Sequence, residues 1–315
     1  LKRTLIMGGS TFVSRSLAEH FILKGYEVDI LTRGVGKLTY TGFREHLKCD
    51  RHSSLELQKT LEGKQYDYIL DISAYTKNDV STLLACIDTT ALKKYIFCSS
   101  AAVYKPGFGA LSESDERGEN PNWGQYGLDK KEAEDYLFQQ YLNTGFPMLI
   151  FRPTYIYGEN NNLYRESYFF DRIKQRKAIP IPCSPNGQLT QVQFIHIADL
   201  CEVFESALTT DTVGKAYNVT HPELMSWEKM LHCFSQVTGI EATAKPIDHE
   251  ALHVEVRSFF PFRDVNMELD ISNLINAGLH TPSIALSDGL RRTYHWYLHH
   301  LPQLSDSRMT KVDDL

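Results

Sequence analysis

"IMGGSTFVSRSL" occupies residues 6–17. A short β-rich run, "RTLIM" (3–7), leads into it, and Phe12, Val13, Leu17, Phe21 and Ile22 follow at helical spacing. A strand, two glycines and a helix form the kind of turn on which an α/β fold can hold a phosphate. The spacing G-x-x-G-x-x-G would place glycine at 8, 11 and 14, whereas the chain has Gly8, Thr11 and Ser14. Gly8 and Gly9 can serve the bend, and Ser14 is small enough for helix to pack on strand. Thr11 adds a hydroxyl that can donate to a phosphate. Ser10 or Thr11 can cap the helix, and an anion would rest on the amides of Ser10, Thr11, Phe12 and Val13. Taken alone, the loop does not separate a cofactor site from any other strand–Gly–Gly–helix.

The alternation continues through half the chain. "YEVDILT" (26–32), "HLKCD" (46–50), "YDYILDIS" (66–73), "KKYIFCSS" (93–100) and "PMLIFRP" (147–153) read as strands. "SLELQKTLEG" (54–63), residues 76–87 and "WGQYGLDKKEAEDYLFQQYLN" (123–143) read as helices. This order predicts an α/β fold, a Rossmann-type doubly wound parallel sheet, with ligands beyond the carboxyl ends of the strands. After residue 157 the rhythm breaks. "YGENNNLY" (157–164) is loop-like and "IPCSPNGQLT" (181–190) is rich in proline and glycine. "FIHIADLCEVFESAL" (194–208) reads as a strand end and a helix, "AYNVT" (216–220) as a strand, and 226–237 and 286–300 as helices. The expected division is a dinucleotide domain over 1–157, rejoined by about 191–219, and a smaller, partly interleaved lobe from 158–190 and 220–315.

Composition narrows the class. The chain has 315 residues, 42% hydrophobic and 23% charged, ordinary for a globular protein. No apolar run approaches the ~18 residues of a membrane helix. No secretory signal is recognisable, and the sequence opens on Leu1, so the natural start can lie elsewhere. The net charge of −6 disfavours a nucleic-acid partner. The most basic stretch, "RIKQRK" (172–177), reads as a solvated helix face. Six cysteines show neither C-x-x-C nor a zinc spacing, so no metal site is expected, and a reducing cytoplasm is the simplest location.

"YGLDK" sets Tyr126 and Lys130 four apart, on one face of the long helix. An ammonium near a phenol favours the phenolate, so the pair suits proton exchange at a reacting oxygen. With 17 tyrosines in the chain, such a spacing arises by chance about once, and position must decide. "CSSAAVY" (98–104) ends the fifth strand, at the sheet edge where ligands bind, and Ser100 there can hydrogen-bond a substrate oxygen.

The chain resembles the extended short-chain dehydrogenase/reductases, the NAD-dependent epimerase/dehydratase family. The matching pieces are "GGSTFVS" (8–14), "CD" (49–50), "SSAAVY" (99–104), "YGLDK" (126–130), "RPTYIYG" (152–158) and "FIHIADL" (194–200), in the family's order over about 300 residues. "GGSTF", "CDR" (49–51) and "FPFRD" (260–264) are similar to the branch of chloroplast stem-loop-binding-protein-like bacterial proteins, which also tends to lose the loop's middle glycine. The resemblance implies Ser100, Tyr126 and Lys130 as catalytic triad and Asp50, with Arg51, as the residues holding the adenine. It also implies Ser73 and Ala74 lining the cofactor, Pro153 supporting the nicotinamide, and Tyr155, Asn162 and Arg263 meeting the substrate. Members commonly form homodimers through the helices matching 76–87 and 123–143.

Departures from the family pattern matter as much. Where NAD-preferring members carry an acid at the end of the second strand, this chain has Thr32 and Arg33; a cation suits a 2′-phosphate, which favours NADP over NAD. Ala101 and Ala102 replace the acid pair of the 4,6-dehydratases, and neither can move a proton, so sugar dehydration is disfavoured. Val192 replaces the arginine that grips a sugar nucleotide's diphosphate four residues before the histidine of "IHxxDL"; Arg263 can take that part. His196 itself reads as structural. The leading expectation is an NAD(P)-dependent epimerase or reductase acting on a sugar-like hydroxyl or ketone. The substrate is a small molecule that can be a nucleotide sugar. The alternative is a catalytically silent nucleotide-sensing or RNA-associated protein on the same fold.

Overall fold

The computed structural model describes residues 2–107, 109–183 and 189–315. Along the chain run β1 (Arg3–Met7), α1 (Phe12–Leu23), β2 (Glu27–Thr32), β3 (Glu45–Lys48), α2 (Ser54–Leu61), β4 (Tyr68–Asp71), α3 (Lys77–Cys86), β5 (Lys94–Cys98), α4 (Gln125–Thr144) and β6 (Met148–Pro153). There follow β7 (Tyr155–Tyr157), α5 (Glu166–Lys174), β8 (Ile179–Cys183), β9 (Phe194–His196), α6 (Ile197–Ala207) and β10 (Lys215–Val219). The chain closes with α7 (Trp227–Thr238), β11 (Ala244–Asp248), α8 (Ser272–Asn276) and α9 (Leu286–His300). It divides into two compact units. The first comprises Leu1–Thr154, Ala198–Thr220 and Leu269–Pro282; the second comprises Tyr155–Ile197, His221–Glu268 and Ser283–Leu315.

In the first unit seven strands make one sheet in the order β10-β6-β5-β4-β1-β2-β3, all pairs parallel. This is the Rossmann-type doubly wound sheet expected from the alternating elements. The central strands β4, β5 and β6 are buried along their whole length, as continuous apolar runs covered on both faces require. One face packs Leu5, Met7, Leu57, Ile69, Val80, Leu83 and Phe97 against Ala133 and Leu137 of α4. Local signals set the helix starts: Ser53 caps α2, and Thr76 with Asp79 forms a capping box on α3. The strand order reverses between β1 and β4, and at that switch point parallel sheets open a crevice past their carboxyl ends.

The second unit pairs β7 with β9 and β8 with β11, both parallel. Its core is aromatic: Phe169 stacks on Phe234 and Trp227 on Phe262, with Tyr155 edge-on to Phe262. The stretch over 181–190, read as rich in proline and glycine, begins within β8, which carries Pro180 and Pro182. Proline is tolerated there because each strand of a two-stranded pair is an edge, with one side of its amides free of ladder bonds. Residues 184–188 of that stretch lie outside the described residues. The basic run 172–177 is solvated only in part, since Arg172 donates to the carbonyl of Ala178 and pairs with Asp313 at 2.8 Å. Among the described residues no helix is long and apolar enough to cross a membrane.

Candidate active site

The β1–α1 turn depends on its two glycines. Gly8 and Gly9 have φ of +112° and +128°, which side-chain-bearing residues rarely adopt. A Cβ on Gly9 would stand 2.5 Å from Ile30 Cγ2, and one on Gly8 would meet Ser14 Cβ at 2.9 Å. Ser14 thus fills the place where a third glycine would leave space, and its hydroxyl donates to the carbonyl of Thr11 at 2.9 Å. Thr11 holds the N-cap position of α1 with extended backbone but makes no side-chain cap bond. The expected capping bond is absent, which leaves the first-turn amides to an anion. Tyr40 closes over the turn, its hydroxyl donating to the carbonyl of Gly9 at 2.7 Å. A cradle that Cβ atoms would fill, next to an uncapped helix start, fits the pyrophosphate of a dinucleotide.

Around this turn stand the other residues expected at a cofactor. Thr32, at the end of β2, accepts the amide of Gly34 at 3.0 Å and lies 2.8 Å from Nε2 of His46. Arg33 is exposed and bears electrostatically on Asp50. Asp50 accepts the amide of His52 at 3.0 Å, a bond that holds its carboxyl below the usual range. Arg51 points elsewhere. It is buried, donates twice to Asp71 at 2.8 and 2.9 Å, and also reaches Ser73 Oγ and the carbonyl of Asp79. Its guanidinium braces the ends of β4 and α3, and through Ser73 it fixes the backbone that runs on to Ala74.

Ser100, Tyr126 and Lys130 all belong to the first unit. Ser100 follows β5, half-buried, and accepts the amide of Ala102 at 3.2 Å, starting a 3-10 turn over Ala101–Val103. On α4, Gly127 packs so closely that a Cβ there would run into the carbonyl of Ala102. The residue beside Tyr126 thus lies against the turn that Ser100 opens. Lys130 is buried and donates to the carbonyls of Ala74 at 2.7 Å and Cys98 at 2.8 Å, bridging the ends of β4 and β5. Burial pushes its pKa down. Its ammonium lies 5.0 Å from the ring of Tyr75, whose centroid is 6.1 Å from that of Tyr126. Tyr126 is 39% exposed. Ser100 follows the end of β5, Lys130 bridges the ends of β4 and β5, and Tyr126 stands one turn before Lys130 on α4. Beneath them Glu134 is fully buried, holding Arg152 at 2.6 Å, Arg117 at 2.8 Å and Ser99 at 2.6 Å. Pro153 ends β6 in register with Val219.

The residues expected to meet a substrate fall in the second unit. Tyr155 is buried, and burial pushes its phenol up. Asn162 is exposed, whereas its neighbour Asn161 turns inward and donates to Glu166 at 2.8 Å. Val192 is fully buried between bridges to Met225 and Met267, a place for a hydrocarbon side chain and no cation. His196 is buried and pairs with Glu159 at 3.2 Å. Arg165 and Glu166 lie in the same unit, and no sequence motif marks them. Among the described residues one group of three could hold a cation, His20 with Glu202 and Glu205, but Lys24 already lies 3.4 and 2.8 Å from those two carboxylates.

The chain belongs to the NAD dependent epimerase/dehydratase family, which residues 4–220 match. It is 25% identical to the chloroplast stem-loop binding protein of 41 kDa b of Arabidopsis thaliana, over 93% of this chain and 79% of that protein. It is 23% identical to the mouse dTDP-D-glucose 4,6-dehydratase, over 94% and 88%. The solved UDP-glucuronic acid 4-epimerase of Bacillus cereus, in complex with UDP-glucuronic acid and NAD, shares the fold. Its TM-score is 0.75 at 19% identity, over 94% of this chain and 99% of that one.

Proposed function

We propose that this protein is an NAD(P)-dependent epimerase or reductase acting on a hydroxyl or ketone of a sugar-like substrate, with a nucleotide sugar as the favoured form. The observation that carries the reading is the way α4 is held, with Gly127 against Ala102 and Lys130 on the carbonyls of Ala74 and Cys98. When bound, the nicotinamide supplies the acceptor and donor of hydride. Ser100 then orients the substrate oxygen, and Tyr126 takes or returns its proton. Lys130 provides the positive charge that favours the phenolate. Gly8, Gly9 and the start of α1 receive the pyrophosphate, and Asp50 the adenine. Arg33, beyond Thr32, supports NADP as the preferred form. Tyr155, Asn162 and Arg263 are the proposed substrate contacts. Ala101 and Ala102 cannot transfer protons, which speaks against dehydration even though a dehydratase is among the relatives. A homodimer through α3 and α4, as a family expectation, and a cytoplasmic location, from the cysteine usage, complete the reading.

The test is to denature the purified protein and identify released dinucleotide and sugar nucleotide by mass spectrometry, then assay turnover. A retained dinucleotide with interconversion of two sugar epimers supports an epimerase, and exchange with added NADPH supports a reductase. No dinucleotide binding at all removes the reading. The similarity to a stem-loop binding protein favours a second one, an RNA-associated protein without turnover. RNA binding that weakens steeply with salt, together with no hydride transfer, selects it.

A further inference from the structure

His295 and His299 stand one turn apart near the end of α9, both exposed, so they share one face of the helix. Their ring centres are 4.2 Å apart, with the planes 39° from parallel. Nδ1 of His299 lies 2.7 Å from the carbonyl oxygen of His295. A carbonyl only accepts, so Nδ1 carries the proton and donates it, and the lone pair of the neutral ring is on Nε2. His300 bonds the carbonyl of Trp296 in the same way at 2.9 Å, but its ring stacks on the indole of Trp296, 5.0 Å between centres. The nearest like charge on the face of His295 is Arg291, one turn earlier, which pairs with Asp288 at 2.8 Å. All of these groups lie in the second unit.

A histidine that binds a metal through one ring nitrogen usually donates its other N–H to a carbonyl or a carboxylate, which fixes the tautomer and holds the ring. His299 already has that arrangement. Two ring nitrogens bound to one ion at about 2.0–2.1 Å lie about 3 Å apart, a spacing within reach of these rings once the exposed His295 turns about its side-chain bonds. The helix ends here, and the negative end of its dipole favours a cation, while Asp288 offsets the charge of Arg291. Imidazole suits zinc, nickel and copper, and not the oxygen-seeking calcium and magnesium. We propose that His295 and His299 form a two-imidazole chelate for a divalent transition metal of the zinc, nickel and copper class on the last turns of α9, with water in the remaining positions. Two protein ligands do not close a structural zinc centre, so the ion exchanges with solvent and the fold does not depend on it. The site draws on no cysteine, which is why cysteine spacing does not mark it, and it is independent of the nucleotide-sugar reading.

Calorimetric titration of the full chain with zinc chloride and with nickel chloride at neutral pH tests it, using the wild type, His295→Ala, His299→Ala, His300→Ala and His20→Ala. A thermal melt without metal confirms that each variant folds. The wild type is expected to bind one ion per chain at this site. His295→Ala and His299→Ala should each weaken it about 100-fold or more, because the second ligand of a preoriented pair binds intramolecularly. His300→Ala and His20→Ala should bind as the wild type does, and excess magnesium should not compete. Added nickel should raise the Tm of the wild type and leave that of His299→Ala unchanged, since only the former binds in its folded state. A wild type that binds neither zinc nor nickel overturns the chelate, as does equal affinity in the wild type, His295→Ala and His299→Ala. Metal binding that is lost in His20→Ala and kept in both helix variants places the ion elsewhere and overturns it too.

Discussion

The ammonium of Lys130 lies 2.7 Å from the carbonyl of Ala74, and a second bond at 2.8 Å ties it to Cys98. One side chain of α4 therefore joins the ends of β4 and β5, while Tyr126, one turn earlier, keeps its ring partly exposed. The two residues should respond differently to substitution. Tyr126→Phe is expected to lower kcat by about 10²- to 10⁴-fold, the range for loss of a general acid–base group, with cofactor affinity and Tm near wild type. Lys130→Met should lose activity and also stability, because two buried carbonyls lose their donor at about 1–3 kcal/mol each. Steady-state kinetics, a NADPH fluorescence titration and a thermal melt separate these effects. Unchanged kcat in Tyr126→Phe removes the proposed chemistry.

Gly127 makes the closest approach of α4 to the turn after Ser100. An added Cβ meets the Ala102 carbonyl, which is backbone and cannot swing aside. Gly127→Ala should shift the start of α4 and with it Tyr126. Displacing a reacting group by about 1 Å costs on the order of 100-fold in rate, so kcat should fall while cofactor binding at the β1–α1 turn persists. A variant with wild-type kcat would show that the close packing does not position the tyrosine.

The buried Glu134–Arg152 pair anchors α4 to β6. Removing one partner of such a pair leaves an uncompensated charge, and Glu134→Ala should cost about 3–5 kcal/mol. Ser99→Ala, which deletes one bond to the same carboxylate, should cost about 1 kcal/mol. Urea unfolding of the two variants checks the order, and a similar small loss in both would contradict it.

Glu166 is buried, with Oε1 unpartnered, and burial pushes its pKa from 4.5 up to about 7. Below pH 4.5 the carboxyl is protonated in both folded and unfolded chains and adds no pH dependence. Between 4.5 and 7 the unfolded chain releases a proton that the folded chain keeps, so the residue's contribution to stability falls as pH rises and stays low above 7. That gap corresponds to at most about 3 kcal/mol. Glu166→Gln removes the titration, so its Tm relative to wild type should rise from pH 5 to pH 8. A difference that does not vary with pH would refute the account.

Much of this was legible from short stretches. The central strands β4, β5 and β6 are buried runs rich in apolar residues, and the helices between them carry an apolar face at helical spacing. The strands β8 and β11 were not legible, because Pro180, Pro182 and Pro246 argue against a ladder until the pair is seen to have two edges. Arg51 read as a cofactor contact from its place beside Asp50; the fold turns it inward onto Asp71, twenty residues on. Arg165 carried no signal at all, since its ring partner Phe262 lies almost a hundred residues away.

By itself the sequence determined the layered α/β sheet and the two-glycine turn. These follow from backbone sterics and apolar periodicity, which act within a few dozen residues. Tertiary structure alone decided what each charge faces: Arg51 a buried carboxylate, Lys130 two carbonyls, Arg165 two aromatic rings. Such pairings depend on which distant segments pack together, and burial then makes each one far stronger than it would be in water.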